Sequence, residues 1–220
     1  MEIKLKKPIL DFNDRLAKEN RELMRQKGIY VLDLLASPGA GKTSLILATI
    51  EALASSYRIA VIEGDIASDV DAVKIKEAGT AAIQINTGGA CHLEAAMVAR
   101  ALASLDLENL DLIIIENVGN LVCPTDFDLG EDAKAMILSV PEGHDKPLKY
   151  PGVFQAAKAV VLGKIDTKPF FDFDEAAFKQ SLEQINPHAL LFSLSAKTQE
   201  GVEAWAHWLS TQIEEKKSCY

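Results

Sequence analysis

Leu34-Leu35-Ala36-Ser37-Pro38-Gly39-Ala40-Gly41-Lys42-Thr43-Ser44 follows an apolar run, Ile29 to Leu35, and opens a segment of helical composition at 43–55. Strand, glycine-bearing loop ending in Gly-Lys-Thr, then helix is the order of a phosphate-binding P-loop. Gly39, Ala40 and Gly41 let backbone N–H groups close around phosphate oxygens, and Lys42 reaches the β- and γ-phosphates. Thr43 offers a hydroxyl to Mg²⁺, with Ser44 beside it, and the helix N-terminus adds positive potential at the same spot. The strict pattern begins with a glycine where Ala36 stands. Because Gly-Lys-Thr recurs by chance, the flanking strand and helix carry the reading.

Outward from this loop, apolar runs recur at 29–35, 58–62, 81–85, 111–115, 134–140, 158–162 and 189–194. Several are continuously apolar and β-branched, such as Ile113-Ile114-Ile115, as in strands buried on both faces of a parallel sheet. Helical candidates lie between them at 43–55, 70–78, 91–104, 174–184 and 200–215. The alternation predicts an α/β fold: one P-loop NTPase domain, a mostly parallel sheet of about seven strands flanked by helices. Residues 9–27 read as an amphipathic helix with Leu10, Leu16, Leu23 and Met24 near one face, ended by Gly28. The expected organisation is an N-terminal helix packed on the domain (1–28), the nucleotide domain (29–215) and a short tail (216–220).

With 220 residues, 48% of them hydrophobic and 25% charged, the chain can bury a substantial core. Its net charge of −9 argues against nucleic-acid binding through phosphate neutralisation. Cys91, Cys123 and Cys219 are too few and scattered for a disulfide framework and point to a reducing compartment. No run approaches the ~18 apolar residues of a membrane span. The start, Met1-Glu2-Ile3-Lys4, lacks a signal peptide's apolar stretch, and Cys219 is not placed for prenylation. The expectation is a cytoplasmic protein without membrane or nucleic-acid partners.

Further motifs fall at strand ends, where such folds place their ligand loops. In Ile113-Ile114-Ile115-Glu116-Asn117-Val118-Gly119, the carboxylate can hold the Mg²⁺ shell and Gly119 can bring an N–H to a γ-phosphate. The plainer reading is a strand ending in a solvated glutamate. Asp65, closing Val61 to Asp65, is the candidate second acid near Mg²⁺ or the attacking water. Asp69 and Asp71 are read as helix caps. Lys42, Asp65 and Glu116 are therefore the catalytic candidates. After strand 158–162, Asp166 can accept both N1–H and N2–H of guanine while the Lys164 stem lies on the base. Ser195-Ala196-Lys197, after the last strand, offers backbone N–H groups to guanine O6. This set points to GTP and GDP.

Asn86-Thr87-Gly88-Gly89-Ala90-Cys91-His92 leads from a strand through a glycine turn toward a helix, and Cys123 follows Glu116 on the next ligand loop. Two thiolates and an imidazole suit Ni²⁺ or Zn²⁺, and a helix N-terminus would depress the Cys91 pKa. Isolated cysteines are usually small buried hydrophobes, however, and adjacent Cys-His is no zinc spacing. Residues alone leave both readings open. Cys219 is read as part of an unstructured tail, His144 as a solvated loop residue, and Arg58 and Arg100 as surface or packing residues.

SPGAGKTSL, IEGDI, QINTGGACHLEAAMV, IIIENVGNLVCPTDFDLGE, DKPLKYP, KID and FDFD together resemble the HypB family of hydrogenase nickel-incorporation GTPases, over about residues 9–210. The resemblance implies slow GTP hydrolysis and metal binding at Cys91, His92 and Cys123. It also implies a nucleotide-dependent homodimer, a HypA-type partner, delivery of Ni²⁺ to a hydrogenase large-subunit precursor, and Lys146 or Lys149 reaching nucleotide across the dimer. Three departures stand out. Gly163 replaces the asparagine of the guanine motif, Ala96 and Arg100 stand where some relatives carry histidines, and no cysteine or histidine cluster precedes the P-loop. These argue for a lost base contact, against a second metal ion, and against nickel storage.

Overall fold

The computed structural model describes residues 7–66 and 70–218. After α1 (Lys7–Lys27), the chain alternates β1 (Tyr30–Ala36), α2 (Lys42–Leu53), β2 (Ile59–Asp65), α3 (Val70–Glu77), β3 (Ala81–Asn86), α4 (Ala95–Leu102) and β4 (Leu112–Glu116). It continues through β5 (Ala133–Ser139), α5 (Lys146–Lys149), α6 (Pro151–Ala156), β6 (Ala159–Gly163), α7 (Glu175–Ile185), β7 (Leu190–Ser193) and α8 (Val202–Ser218). The seven strands form one sheet in the order β3-β2-β4-β1-β5-β6-β7, and every pairing is parallel. The predicted α/β architecture is thus the observed one.

Side-chain alternation along β1 sorts the core. Leu32, Leu34 and Ala36 face the layer of α2 and α8, where the fully buried Trp205 donates its indole N–H to Thr49 Oγ1 at 2.9 Å. Truncating such a side chain costs about 3–5 kcal/mol. On the opposite face Val31 joins an apolar cluster with α4 and Met24 of α1, and Leu35 joins one with α6 and α7. Between them, in the seam, lies the carboxylate of Asp33 at 0% exposure.

Three local expectations change. Leu23 of α1 is exposed, because the seam is Asn13, Ala17, Asn20 and Met24, spaced 4-3-4. Its buried asparagines are satisfied: Asn13 bonds Ala95 N and Asp128 O, and Asn20 bonds the carbonyls of Ala95 and Leu129. The tail expected from residue 216 is helical through Ser218, with Lys216 paired to Asp132 at 2.6 Å and Lys217 to Asp111 at 2.9 Å. His144 is half-buried against Phe173 and accepts a hydrogen bond from Asp174 N at 3.2 Å, rather than standing in solvent. Asp69 and Cys219 lie outside the described residues. Among those residues no helix is long and apolar enough to cross a membrane.

Candidate functional site

All three clefts and clusters below sit at the carboxyl ends of the strands, where a parallel sheet leaves its loops free for ligands. The chain leaves β1, turns through Gly41 at φ +108° and enters α2 at Lys42. A side chain at Gly41 would be strained by that backbone alone. Lys42 Nζ lies 3.9 Å from Glu116 Oε1, and Thr43 Oγ1 donates to the same oxygen at 3.1 Å. Gly119 approaches the loop so closely that a Cβ there would sit 3.0 Å from Pro38 N and Cα. These groups, with Asp65, line a cleft of about 470 Å³.

Glu63 and Asp71 cluster with Glu116, their carboxylate oxygens within 4.8 Å of one another. Register explains Glu63, which pairs laterally with Glu116 across β2 and β4. Asp65 is two residues further along β2 and lines the same cleft, and its carbonyl accepts from Thr87 N at 2.9 Å. Burial, then the neighbouring Glu116, pushes the Glu63 carboxyl far above its ordinary value, and burial raises Glu116 as well. One oxygen of each is buried without a hydrogen-bond partner. Carboxylates so placed fit a divalent cation, which would satisfy those atoms and relieve their repulsion. Asp71 also pairs with Lys74 at 2.8 Å, and Lys74 lines the cleft.

A second cleft of about 270 Å³ adjoins the first through Gly41, Ser44 and Lys164. Asp166 lines it and accepts from Ser195 Oγ at 2.6 Å. The Ser195 backbone N–H, expected to face a base, donates instead to Glu200 O at 2.8 Å, and it is the hydroxyl that meets Asp166. Ala196 and Lys197 line the cleft as well. Lys164, at φ +56°, donates to Gly39 O at 2.7 Å and so ties this loop to the P-loop. A Cβ at Gly163 would meet nothing closer than 3.8 Å, so crowding does not account for the glycine.

Cys91, His92 and Cys123 converge, their ligand atoms within 4.8 Å of one another. Cys91 Sγ lies 3.7 Å from His92 Nδ1, while the imidazole stacks on Phe127 at 3.9 Å between centroids. His92 Nε2 is buried without a hydrogen bond, 3.8 Å from Glu94 Oε1. The expected helix effect on Cys91 fails for a local reason: α4 starts only at Ala95, so Cys91 is in the preceding turn. Its thiol is instead raised, first by a hydrogen bond with the Cys123 thiol and then by burial. Two thiols and an imidazole in this geometry form a donor set for a soft or borderline cation.

Hydrogen bonds join this cluster to the strand ends. Asn117, 1% exposed, accepts from Leu93 N at 3.2 Å and Val118 N at 3.0 Å, and Asn120 donates to Cys91 O at 3.3 Å. Sequence reasoning missed Glu63, Lys74, Asn117, Asn120 and Phe127, and read Asp71 only as a cap. A polar residue directly after the Glu116 strand end was the available signal for Asn117. Lys149 pairs with Asp145, and Lys146 lies 3.9 Å from Glu142 and over the Tyr150 ring.

Residues 31–193 match the family model described as CobW/HypB/UreG, nucleotide-binding domain. "Hydrogenase maturation factor HypB" of Azotobacter vinelandii is 49% identical over 210 residues, covering 96% of this chain and 69% of the relative. "Hydrogenase/urease maturation factor HypB" of Helicobacter pylori is 40% identical over 225 residues, covering 100% and 90%. A crystal structure of HypB from Helicobacter pylori in complex with nickel superposes with a TM-score of 0.89 at 39% identity, over 93% of this chain and 96% of that one. Identity of this order along nearly the whole chain, with the same fold, leaves one assignment: the chain belongs to the CobW/HypB/UreG family and, within it, to the HypB hydrogenase maturation factors.

Proposed function

We propose that this protein is a slow GTPase that carries Ni²⁺, or Zn²⁺, at Cys91, His92 and Cys123 and yields it during [NiFe]-hydrogenase maturation according to nucleotide state. The observation that carries the reading is the convergence of three soft ligands on loops hydrogen-bonded to the end of the Glu116 strand. In this reading Lys42 and the N–H groups of Gly39 to Ser44 bind the phosphates, and Gly119 offers its N–H to the γ-phosphate. Asp166, oriented by Ser195, accepts from guanine, and Lys164 covers the base. Thr43, Glu63, Asp71 and Glu116 would hold Mg²⁺, with Asp65 at the edge of the shell near the attacking water. Bound there, Mg²⁺ supplies charge neutralisation across the phosphates.

Slow turnover is expected in this reading because no arginine among the described residues lines either cleft. Three ligands leave coordination incomplete, which suits transfer: a second subunit, a HypA-type partner or the hydrogenase large-subunit precursor completes it. The site of action is the cytoplasm. Urease as a second client is a reading favoured by the Helicobacter pylori relative, whose name includes it. Titrating the full chain with Ni²⁺ and Zn²⁺ under GTP analogue, GDP and no nucleotide tests the proposal through thiolate-to-metal absorption. Identical affinity in all three states would defeat the coupling. Single-turnover GTP assays separate a hydrolase from a nucleotide-gated switch with little hydrolysis.

A further inference from the structure

Asp33 is the one fully buried charged group of β1, and no step above uses it. Its carboxylate accepts from Asn117 Nδ2 at 3.1 Å on one side and from Lys134 Nζ at 3.5 Å on the other. Lys134 is its lateral neighbour in β5, with its side chain only 12% exposed. The same ammonium donates to Phe127 O at 2.7 Å and Pro124 O at 3.3 Å, and pairs with Glu131 at 3.3 Å. Asn117 in turn accepts from the backbone N–H of Leu93 and of Val118.

Each arm of this network ends on a ligand-bearing loop. The Lys134 arm ends on the carbonyls of the turn Cys123–Asp126 and of Phe127, the ring on which His92 stacks. The Asn117 arm holds the residue after His92, and also the backbone N–H of Val118, which lines the phosphate cleft beside Gly119. Stability alone does not account for the pair, since apolar residues of matching volume often serve a core as well as or better than a buried ion pair. What apolar residues cannot do is fix carbonyls and N–H groups of both ligand-bearing loops at hydrogen-bond distance.

We infer that Asp33 and Lys134 are positioning residues that make the geometry of the Cys91, His92 and Cys123 cluster depend on the loop facing the γ-phosphate. The inference rests on the metal-carrier reading above and names the connection it needs. Supporting groups behind metal ligands typically contribute about 10–100-fold in affinity. Because coupling between two bound ligands is reciprocal, it appears as a ratio of metal affinities in two nucleotide states.

The test measures that ratio by Ni²⁺ titration of the full chain under GTP analogue and under GDP, for wild type, Lys134→Met and Asp33→Asn. The expected result is Ni²⁺ affinity lowered by about 10–100-fold in Lys134→Met, with the ratio falling to within about twofold of unity in at least one folded variant. GTP-analogue affinity without metal stays within about twofold of wild type. A ratio kept at the wild-type value in every folded variant overturns the inference while leaving the metal carrier intact. A wild type that binds Ni²⁺ equally in both states, or not at all, overturns the carrier reading and this one with it. Asp33→Asn keeps the shape and the bond to Asn117, which guards against misfolding. Should neither variant fold, the Lys134 ammonium resonance of the wild type decides. Movement on adding Ni²⁺ alone and on adding GTP analogue alone supports the inference, and a signal indifferent to either overturns it.

Discussion

Around the phosphate cleft, one short piece of chain supplies Pro38, Gly39 and the run Gly41 to Ser44, and a single turn at Gly41 aims it. Around the sulfur ligands, two loops supply the donors, and a lysine 101 residues beyond its aspartate helps hold them. A cradle made of consecutive backbone N–H groups survives the loss of a side chain elsewhere. A cluster hung on long-range side-chain bonds fails at any of several distant points, and for that reason it can be adjusted from a distance.

The contrast is most severely tested by Lys42→Ala. Its expected effect is a fall in GTP turnover of at least about 10²–10³-fold, read in single-turnover assays, with Ni²⁺ absorption in the absence of nucleotide unchanged. A parallel loss of metal would mean that the two regions stand or fall as one. Cys91→Ala comes next: Ni²⁺ affinity should drop by more than the roughly 10–100-fold that a supporting residue contributes. A smaller drop, measured by charge-transfer titration, would point to a different donor set.

The buried seam makes a pH prediction. Burial raises Asp33 to about 7, against an ordinary value of 3.8. A carboxyl whose pKa is higher folded than unfolded favours the native state while protonated. That contribution is complete below the unfolded value and disappears as pH climbs through the folded one. Asp33→Asn should therefore gain stability relative to wild type as pH rises from about 4 to 7, by up to about 4 kcal/mol in urea unfolding. A difference that is flat with pH would show that Asp33 ionises normally. The smallest effect is expected from Phe127→Leu. Losing the stack under His92 is worth about 0.5–1.5 kcal/mol, hence a several-fold weaker Ni²⁺ affinity with unchanged GTP binding.

Legibility in the sequence follows the same division. Seven apolar runs were readable as strands because both faces of a parallel sheet are covered, and the P-loop because its contacts are consecutive. Glu63 was invisible as a partner of Glu116, since their adjacency is a matter of lateral register. Asp33 sat inside an apolar run with nothing nearby to show which group would meet it. Leu23 was placed on the wrong side of α1 because apolar residues defined the expected face, whereas buried asparagines define the real one. Two short proline-initiated helices, α5 and α6, were missed because neither is long enough to show a period.

Gly119 and Pro38 stand so close that a methyl group on the glycine would sit 3.0 Å from the Pro38 main chain. Two loops in such contact have no slack. A shift on the phosphate side meets main chain directly, with no side chain between the two loops to absorb it. In mechanical terms the glycine makes this junction a gear with no backlash, and its tolerance is set by the bare width of the main chain.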